Sequence, residues 1–385
     1  MHALSPTSAE WSLLRAACSE YSAEAGWPDL LSSPIEWKTV LDLAERHGVL
    51  PLVAQALSNL GERVPTEVLE TLRQNYQINL HKSLFLSREL IRILEKLAFF
   101  GIEVMPYKGL ALAETLYGDV ALRQSGDIDL LIRAQDVRGV RDAVRELGYT
   151  PHVTLSRAEE EAYLKSGYEC AFDGTAGRNL LEVQWAIQPR FYAVEVDMEA
   201  LFERAVTVTV AGYPVKTPAA EDLFLILAVH AAKHLWGRLI WTCDLARLSR
   251  LPSLNWKRIA AQAEGLGVGR IVRVSLQLAE DVSNSPIPRE ANACLAADPV
   301  APMLAEKIEN YLAKDQTFNV ESLAYFRWMV RLRERGRDKM RLISRLVLTP
   351  GPGEWAVVQL PKPLFPLYRI IRISRLAARV VQNRV

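Results

Sequence analysis

Hydrophobic positions recur at helical spacing through the first hundred residues. Pro28 and Ser32-Ser33-Pro34 interrupt the pattern early, and Gly48 separates two further segments. A longer run spans 65–100. Leu69, Leu72, Ile78, Leu84, Leu86, Leu90, Ile93, Leu94 and Leu97 mark its apolar side, and Glu, Lys and Arg occupy much of the other. That is the pattern of an amphipathic helix. At Gly101 the texture changes. The stretch 102–107 reads as a strand and 109–117 as a short helix. The continuous apolar run 128–132 reads as a strand buried on both faces. A helix at 137–147 ends at Gly148. Strands follow at 168–172 and 180–185, and 207–216, with Gly212-Tyr213-Pro214 inside it, reads as a hairpin. From Pro218 helices return at 221–236, 239–248, 256–264 and 270–282. The Pro- and Ala-rich stretch 286–302 reads as irregular. A helix at 321–346, the loop TPGPGEW and a terminal amphipathic helix complete the chain. The fold class is therefore α+β, a small mixed sheet core flanked by N-terminal and C-terminal helical regions. Its expected divisions are 1–100 (helical), 101–217 (sheet core), 218–320 (helical) and 321–385 (basic helical tail).

Composition narrows the class. The chain has 385 residues, 50% hydrophobic and 24% charged, with mean hydropathy +0.03. Such a chain has material for buried cores and is not disordered. A net charge of +1 gives no bulk attraction to a polyanion. The charge is uneven, however. Residues 327–385 hold 14 Lys and Arg against three acids, so this tail is +11 and the preceding 326 residues are −10. Arg369, Arg372, Arg375 and Arg379 interleave with Ile370, Ile371, Ile373, Leu376 and Val380. A polyanion or a membrane surface fits that pattern, but a basic tail docked on its own acidic body explains it more simply. Four dispersed cysteines without a CxxC argue against a disulfide framework or a thiolate zinc site. The opening MHALSPTSAEW has neither the basic nor the apolar region of a secretory signal. No apolar window approaches the ~18–20 residues of a membrane span. These features predict a cytoplasmic protein with no membrane span.

Several motifs fail. Gly265-Leu-Gly-Val-Gly carries Arg270 where a dinucleotide fingerprint needs its third glycine, and a helix precedes it where a strand belongs. Lys108-Gly109 has no upstream glycine, so it makes no Walker loop. His230 and His234 stand four apart on one helix face, but Ala231 sits where a zinc-protease glutamate would be and no third ligand is evident. They read as packing, capping or substrate contact. No GxSxG occurs.

The informative stretch is Tyr107-Lys-Gly-Leu-Ala followed by Arg123-Gln-Ser-Gly-Asp127-Ile-Asp129-Leu-Leu-Ile. Asp127 and Asp129, one residue apart at the head of a strand, point to one side of the sheet. Left bare they repel, so Asp129→Asn is expected to keep or raise the stability of the metal-free protein. A divalent cation also resolves the repulsion, and Mg2+ favours a pair of carboxylates plus phosphate oxygens. Upstream, the Gly109 helix start with Lys108 suits phosphate. Downstream, Glu182 in Leu180-Leu-Glu182-Val-Gln184-Trp185 would be costly if buried unpaired and is explained as a third ligand. Lys233 stands among Ile226, Val229 and Trp236 on its helix, where it needs an anion or a path to solvent. The alternatives are nucleotide phosphate, or an acid such as Asp244.

This constellation resembles the nucleotidyltransferases of the DNA polymerase β-like superfamily, whose signature is a Gly-containing helix start, two aspartates on one strand, and an acid on a later strand. More closely it is similar to a bacterial family of uncharacterised nucleotidyltransferases carrying KG-x-A and R-x-x-x-D-I-D-L-L. Glu182-Val-Gln184-Trp185, Pro218-Ala-Ala-Glu221-Asp222, His230-Ala-Ala-Lys233-His234, Cys243-Asp244 and Glu354-Trp355 extend the likeness over roughly 40–380. The resemblance implies that Asp127, Asp129 and Glu182 are catalytic and hold Mg2+, or alternatively Mn2+. It implies that Lys108, Gly109 and Arg123 bind the nucleotide, and Lys233 joins them if the 221–236 helix closes over the cleft. The reaction implied is transfer of a nucleoside monophosphate from an NTP, ATP first, to a hydroxyl, with release of pyrophosphate. A small-molecule or protein acceptor is favoured over RNA, since the only strongly basic stretch is the tail. Two departures stand out: Leu110 replaces the usual serine after the glycine, and Glu182-x-Gln184 replaces Asp-x-His. The alternative is a weak or inactive nucleotidyltransferase fold serving as a nucleotide-binding or scaffold module.

Overall fold

The structure is a computed structural model describing residues 8–19, 26–316, 319 and 322–382. Arg379, Val380 and Arg384 of the basic tail lie outside the residues whose side chains are described. Five strands form the main sheet: β1 (Met105–Pro106), β2 (Asp127–Leu131), β3 (Thr150–Pro151), β4 (Glu169–Asp173) and β5 (Leu180–Gln184). Their order is β1-β2-β5-β4-β3, with β2 and β5 parallel and the other pairs antiparallel. A separate hairpin pairs β6 (Val206–Val210) with β7 (Tyr213–Thr217). The fold is the expected α+β class, a small mixed sheet in a helix-rich chain.

The inner strands put their acids on the front, together with Leu131, Leu180 and Ala171, and apolar residues on the back. Ile128, Leu130, Leu181, Val183 and Phe172 point back. They pack on Leu86, Leu90, Ile93 and Leu97 of the Thr66–Phe99 helix and on Val140 and Val144 of the Val137–Glu146 helix. A second core unites segments far apart in sequence. Trp11, Leu14 and Val53 share it with Phe224, Leu276 and Leu304, so the N-terminal helices and those after Pro218 close around one another.

Some elements differ from the sequence reading. The first strand shrinks to Met105–Pro106, because Pro106 has no amide hydrogen to extend the ladder and Glu103 turns to Arg133 and Lys216. The helix expected at 221–236 is Ala220–Lys233. It stops because Leu235 and Trp236 take left-handed backbone angles, φ 49° and 50°, which fold both side chains into the core. The helix expected at 321–346 is split into Leu323–Arg331 and Gly336–Leu348. Between them the buried Arg333 reaches the carbonyl of Tyr192 at 2.8 Å. The stretch 286–302, read as irregular, contains a helix at Arg289–Cys294 and the start of Ala301–Ala313. Arg157–Ser166 is a further helix not foreseen, although Ser156 and Glu159 form its capping box.

The tail does dock on the body. Arg341 and Arg345 both bond Glu195, and Lys362 bonds Glu161. Arg372 and Arg375 hold the buried Glu354. Ile370 and Ile373 of the terminal helix stay exposed. Among the described residues no helix is long and apolar enough to cross a membrane, and the four cysteines are free thiols.

One buried ion pair fastens the sheet core to the second helical layer. Arg123 Nε and Nη2 donate to Asp244 at 2.9 and 2.8 Å, and the Tyr117 hydroxyl donates to the same carboxylate at 2.8 Å. Asp244→Ala leaves the Arg123 charge buried without its partner. The expected cost is about 3–5 kcal/mol, measurable by urea unfolding. A loss below ~1 kcal/mol would show that the pair does not join the layers.

Candidate active site

The pleat places the carboxylates together. Asp127 and Asp129 project from the front of β2, opposite the core-facing Ile128 and Leu130. The parallel register sets Asp129 beside Glu182 and Leu131 beside Gln184. On the other side of β5, the antiparallel register sets Glu169 beside Gln184. Asp127, Asp129, Glu182 and Glu169 thus share one face. They open on a cavity of about 560 Å3 whose other walls come from the Ala220–Lys233 and Leu239–Ser249 helices and from His47. All seven residues singled out from the sequence line this cavity.

Lys108 is the nearest counter-charge. Its Nζ lies 2.6 Å from Asp129 Oδ1, with the two side chains 10% and 2% exposed. The approach is a charge contact rather than a well-aligned hydrogen bond, for Oδ1 remains without a hydrogen-bond partner. Gly109 follows with φ 51°, where an added Cβ would meet Asp127 O and Ser125 Oγ at 3.5 Å. A left-handed backbone here favours glycine. Arg123 lines the cavity, but its guanidinium is turned first to Asp244, with Nη1 3.4 Å from Ser125 Oγ. It is the least available of the expected phosphate ligands. Lys233 does not pair with Asp244. Its Nζ donates to the Tyr168 hydroxyl at 2.6 Å and sits 4.4 Å from the centre of that ring.

These environments shift the titrations in opposite directions. Burial raises Asp127, and the neighbouring Asp129 raises it further. Burial also raises Asp129; Lys108 pulls it down without cancelling the effect, and Glu182 pushes it up. Glu182 is raised by burial, then by Glu169 and Asp127 against the pull of Lys108. Burial alone would lower the Lys108 ammonium, but Asp129, Tyr107 and Glu182 outweigh it and the net shift is upward. Lys233, with no carboxylate in contact, is lowered by burial.

Gln184 organises the acids. The Tyr107 hydroxyl donates to Gln184 Oε1 at 2.6 Å, which fixes the amide. Its Nε2 then donates to Glu182 Oε2 at 3.2 Å and Glu169 Oε2 at 3.3 Å. The sequence reading missed Glu169 and Tyr168 as site residues. The signal was available, since Glu169 opens a strand whose alternate residues Cys170 and Phe172 face away from it.

The residues fit a hard divalent cation in donor chemistry. The candidate ligands are all carboxylate oxygens, their combined charge exceeds that of Lys108, and the buried Asp129 Oδ1 has the Lys108 ammonium against it but accepts no well-aligned hydrogen bond. They do not stand closed around an ion: among the described residues no three His, Cys, Asp or Glu side chains converge into a coordination cluster.

Residues 33–284 match the family described as uncharacterised nucleotidyltransferase. The chain belongs to that family. A nucleotidyltransferase moves a nucleoside monophosphate, and the matched span includes the carboxylates, both lysines and His47. Among solved structures, the solution structure of the antibiotic-resistance factor ANT(2'')-Ia aligns over 50% of this chain and 90% of its own, at 18% identity and TM-score 0.32. No curated protein matches the sequence.

Lys108 reverses the expectation for Asp129→Asn. That change relieves repulsion but strips a buried lysine of its closest anion, so the nucleotidyltransferase should lose about 3 kcal/mol, the low end for a broken buried pair because Glu182 remains nearby. Asp127→Asn removes a repelled carboxylate to which no described residue makes an ion pair, and should stabilise the metal-free protein. The folded Asp127 binds its proton more tightly than the unfolded one does. Its contribution therefore falls as pH rises from the ordinary carboxylate range through the raised value. The gain of Asp127→Asn over wild type should grow over that interval. Urea unfolding with a chelator present, at acid and neutral pH, measures both; a gain independent of pH would remove the repulsion argument.

Proposed function

We propose that this enzyme transfers a nucleoside monophosphate from an NTP, ATP first among them, to a hydroxyl of a small molecule or protein. The observation that carries the reading is the in-register placement of Asp129 and Glu182, with Asp127 on the same face, over a cavity that also receives two lysines. Asp127, Asp129 and Glu182 would hold Mg2+ or Mn2+, which when bound supplies charge neutralisation for the triphosphate.

The chain's own groups account for the rest. Lys108, beside the left-handed Gly109, offers an ammonium that stays protonated, since its acidic neighbours raise it. Lys233 reaches the same space from the helical layer, where its Nζ donates to the Tyr168 hydroxyl. Arg123 contributes mainly by fixing Ser125 and the loop before β2. In the transfer, the acceptor oxygen forms a bond to the α-phosphorus. The bond from that phosphorus to the bridging oxygen breaks, and its electron pair leaves with pyrophosphate. The acceptor proton passes to Glu182, whose raised pKa suits it to take one. Gln184 keeps Glu182 oriented for that role. Arg341, Arg345 and Lys362 of the tail are engaged with Glu195 and Glu161 of the body and not with the cavity, and the reading of a small-molecule or protein acceptor is kept on that ground.

One contact favours a second reading. Lys108 lies against Asp129, as in a nucleotide-binding module without turnover. Pyrophosphate release from ATP with Mg2+, assayed over a pool of hydroxyl compounds and proteins, separates the two. Release that Glu182→Gln abolishes while ATP affinity stays within about threefold supports transfer. Tight ATP binding with no release from any acceptor supports the module. Lys233→Met should weaken ATP binding by about 1–3 kcal/mol, the scale of a charge-assisted hydrogen bond, at nearly unchanged stability. Unaltered affinity in a calorimetric titration removes Lys233 from the phosphate site.

A further inference from the structure

The cavity has an aromatic wall that the transfer chemistry does not use. His230 and His234, one turn apart on the Ala220–Lys233 helix and its cap, have ring centres 4.9 Å apart. Trp241, from the Leu239–Ser249 helix, closes the group at 5.3 Å from His230 and 5.2 Å from His234. The left-handed turn at Leu235 and Trp236 is what brings the two helices round so that these rings meet. All three rings are half-buried and line the cavity. No described residue makes a hydrogen bond to either imidazole. Their ring nitrogens are therefore left to the cavity, where the edge of a ligand can meet them.

The wall shares the cavity with both lysines. Lys108 and Lys233 act on both imidazoles, Arg123 also on His230 and Arg238 also on His234, and Arg238 lies 5.9 Å from the centre of the Trp241 ring; no carboxylate is among the groups acting on either histidine. Burial first, and these cations second, lower both histidines, His234 to about 3. The rings are therefore neutral and present uncharged faces and edges. A ligand that suits them is planar, aromatic and able to hydrogen-bond at its edge, and it is attached to the group that Lys108 and Lys233 attract.

We propose that His230, His234 and Trp241 form the nucleobase subsite of this nucleotidyltransferase, with Trp241 as its stacking face. This rests on the preceding reading that an NTP occupies the cavity. Stacking is tolerant of base identity, so the subsite would supply affinity for nucleotides in general, graded by the size of the base.

The test compares MgATP with magnesium tripolyphosphate, which has the phosphates and no base, by calorimetric titration. Wild type should bind MgATP at least tenfold more tightly. Trp241→Ala should lower MgATP affinity about tenfold and leave tripolyphosphate affinity unchanged, and Trp241→Phe should restore most of the loss. Circular dichroism establishes that each variant is folded, and if Trp241→Ala is not, His234→Ala replaces it with the same expectation. Equal wild-type affinities for the two ligands, or an equal loss of both in the variant, would overturn the subsite. Failure of tripolyphosphate to bind at all would instead strike the phosphate and carboxylate reading. Adenosine then decides the wall by itself: binding that Trp241→Ala abolishes upholds it, and no binding rejects it.

Discussion

The contact between Lys108 and Asp129 is the one on which the rest of the site depends. Asp127, Asp129 and Glu182, three of the four carboxylates on one sheet face, repel one another in a partly dry setting, and each is raised by burial. The Lys108 ammonium makes the arrangement tolerable by standing against the most deeply buried of them. Lys108 can stand there because the chain turns through Gly109 with a left-handed backbone, φ 51°, beside Asp127 and Ser125. Ser125 in turn belongs to the loop that Arg123 anchors on Asp244. The acid cluster, the glycine turn and the second helical layer are thus parts of one electrostatic settlement.

Much of this was legible in sequence, and the reasons differ from residue to residue. Asp127 and Asp129 declare themselves because a two-residue period and an apolar run fix their side of the strand. Glu182 does so because it is an acid inside an otherwise apolar strand. The ion-pair partners were not legible. Whether Arg123 faces phosphate or Asp244, and whether Lys233 faces Asp244 or Tyr168, depends on the crossing of elements more than a hundred or some sixty residues apart. Local pattern carries no information about such crossings. The same holds for His47, which reaches the cavity only because the N-terminal helices share a core with those after Pro218.

Errors in element limits have a related origin. The Ala220–Lys233 helix stops short of its apolar pattern because burying Leu235 and Trp236 outweighs the strain of two left-handed residues, a cost of the order of 1–3 kcal/mol each. The split between Leu323–Arg331 and Gly336–Leu348 follows from Arg333 turning inward to a carbonyl and the ring of Tyr192. In both places tertiary contact overrides the periodic signal.

The pairing of β2 with β5 has a consequence for how this protein can change. Side chains on a strand have a period of two, so sliding β5 by one residue against β2 would exchange its two faces. Glu182 and Gln184 would enter the apolar layer, and Leu181 and Val183 would line the cavity. An insertion of one codon just before Glu182 would therefore turn Glu182 and Gln184 away from Asp127 and Asp129 while leaving each residue in the gene. Point substitutions can explore this strand one position at a time, but its length is closed to drift. The Gly174–Asn179 connection just before it, where Gly174 donates its amide to Asn179 O, is where a change of length can be absorbed.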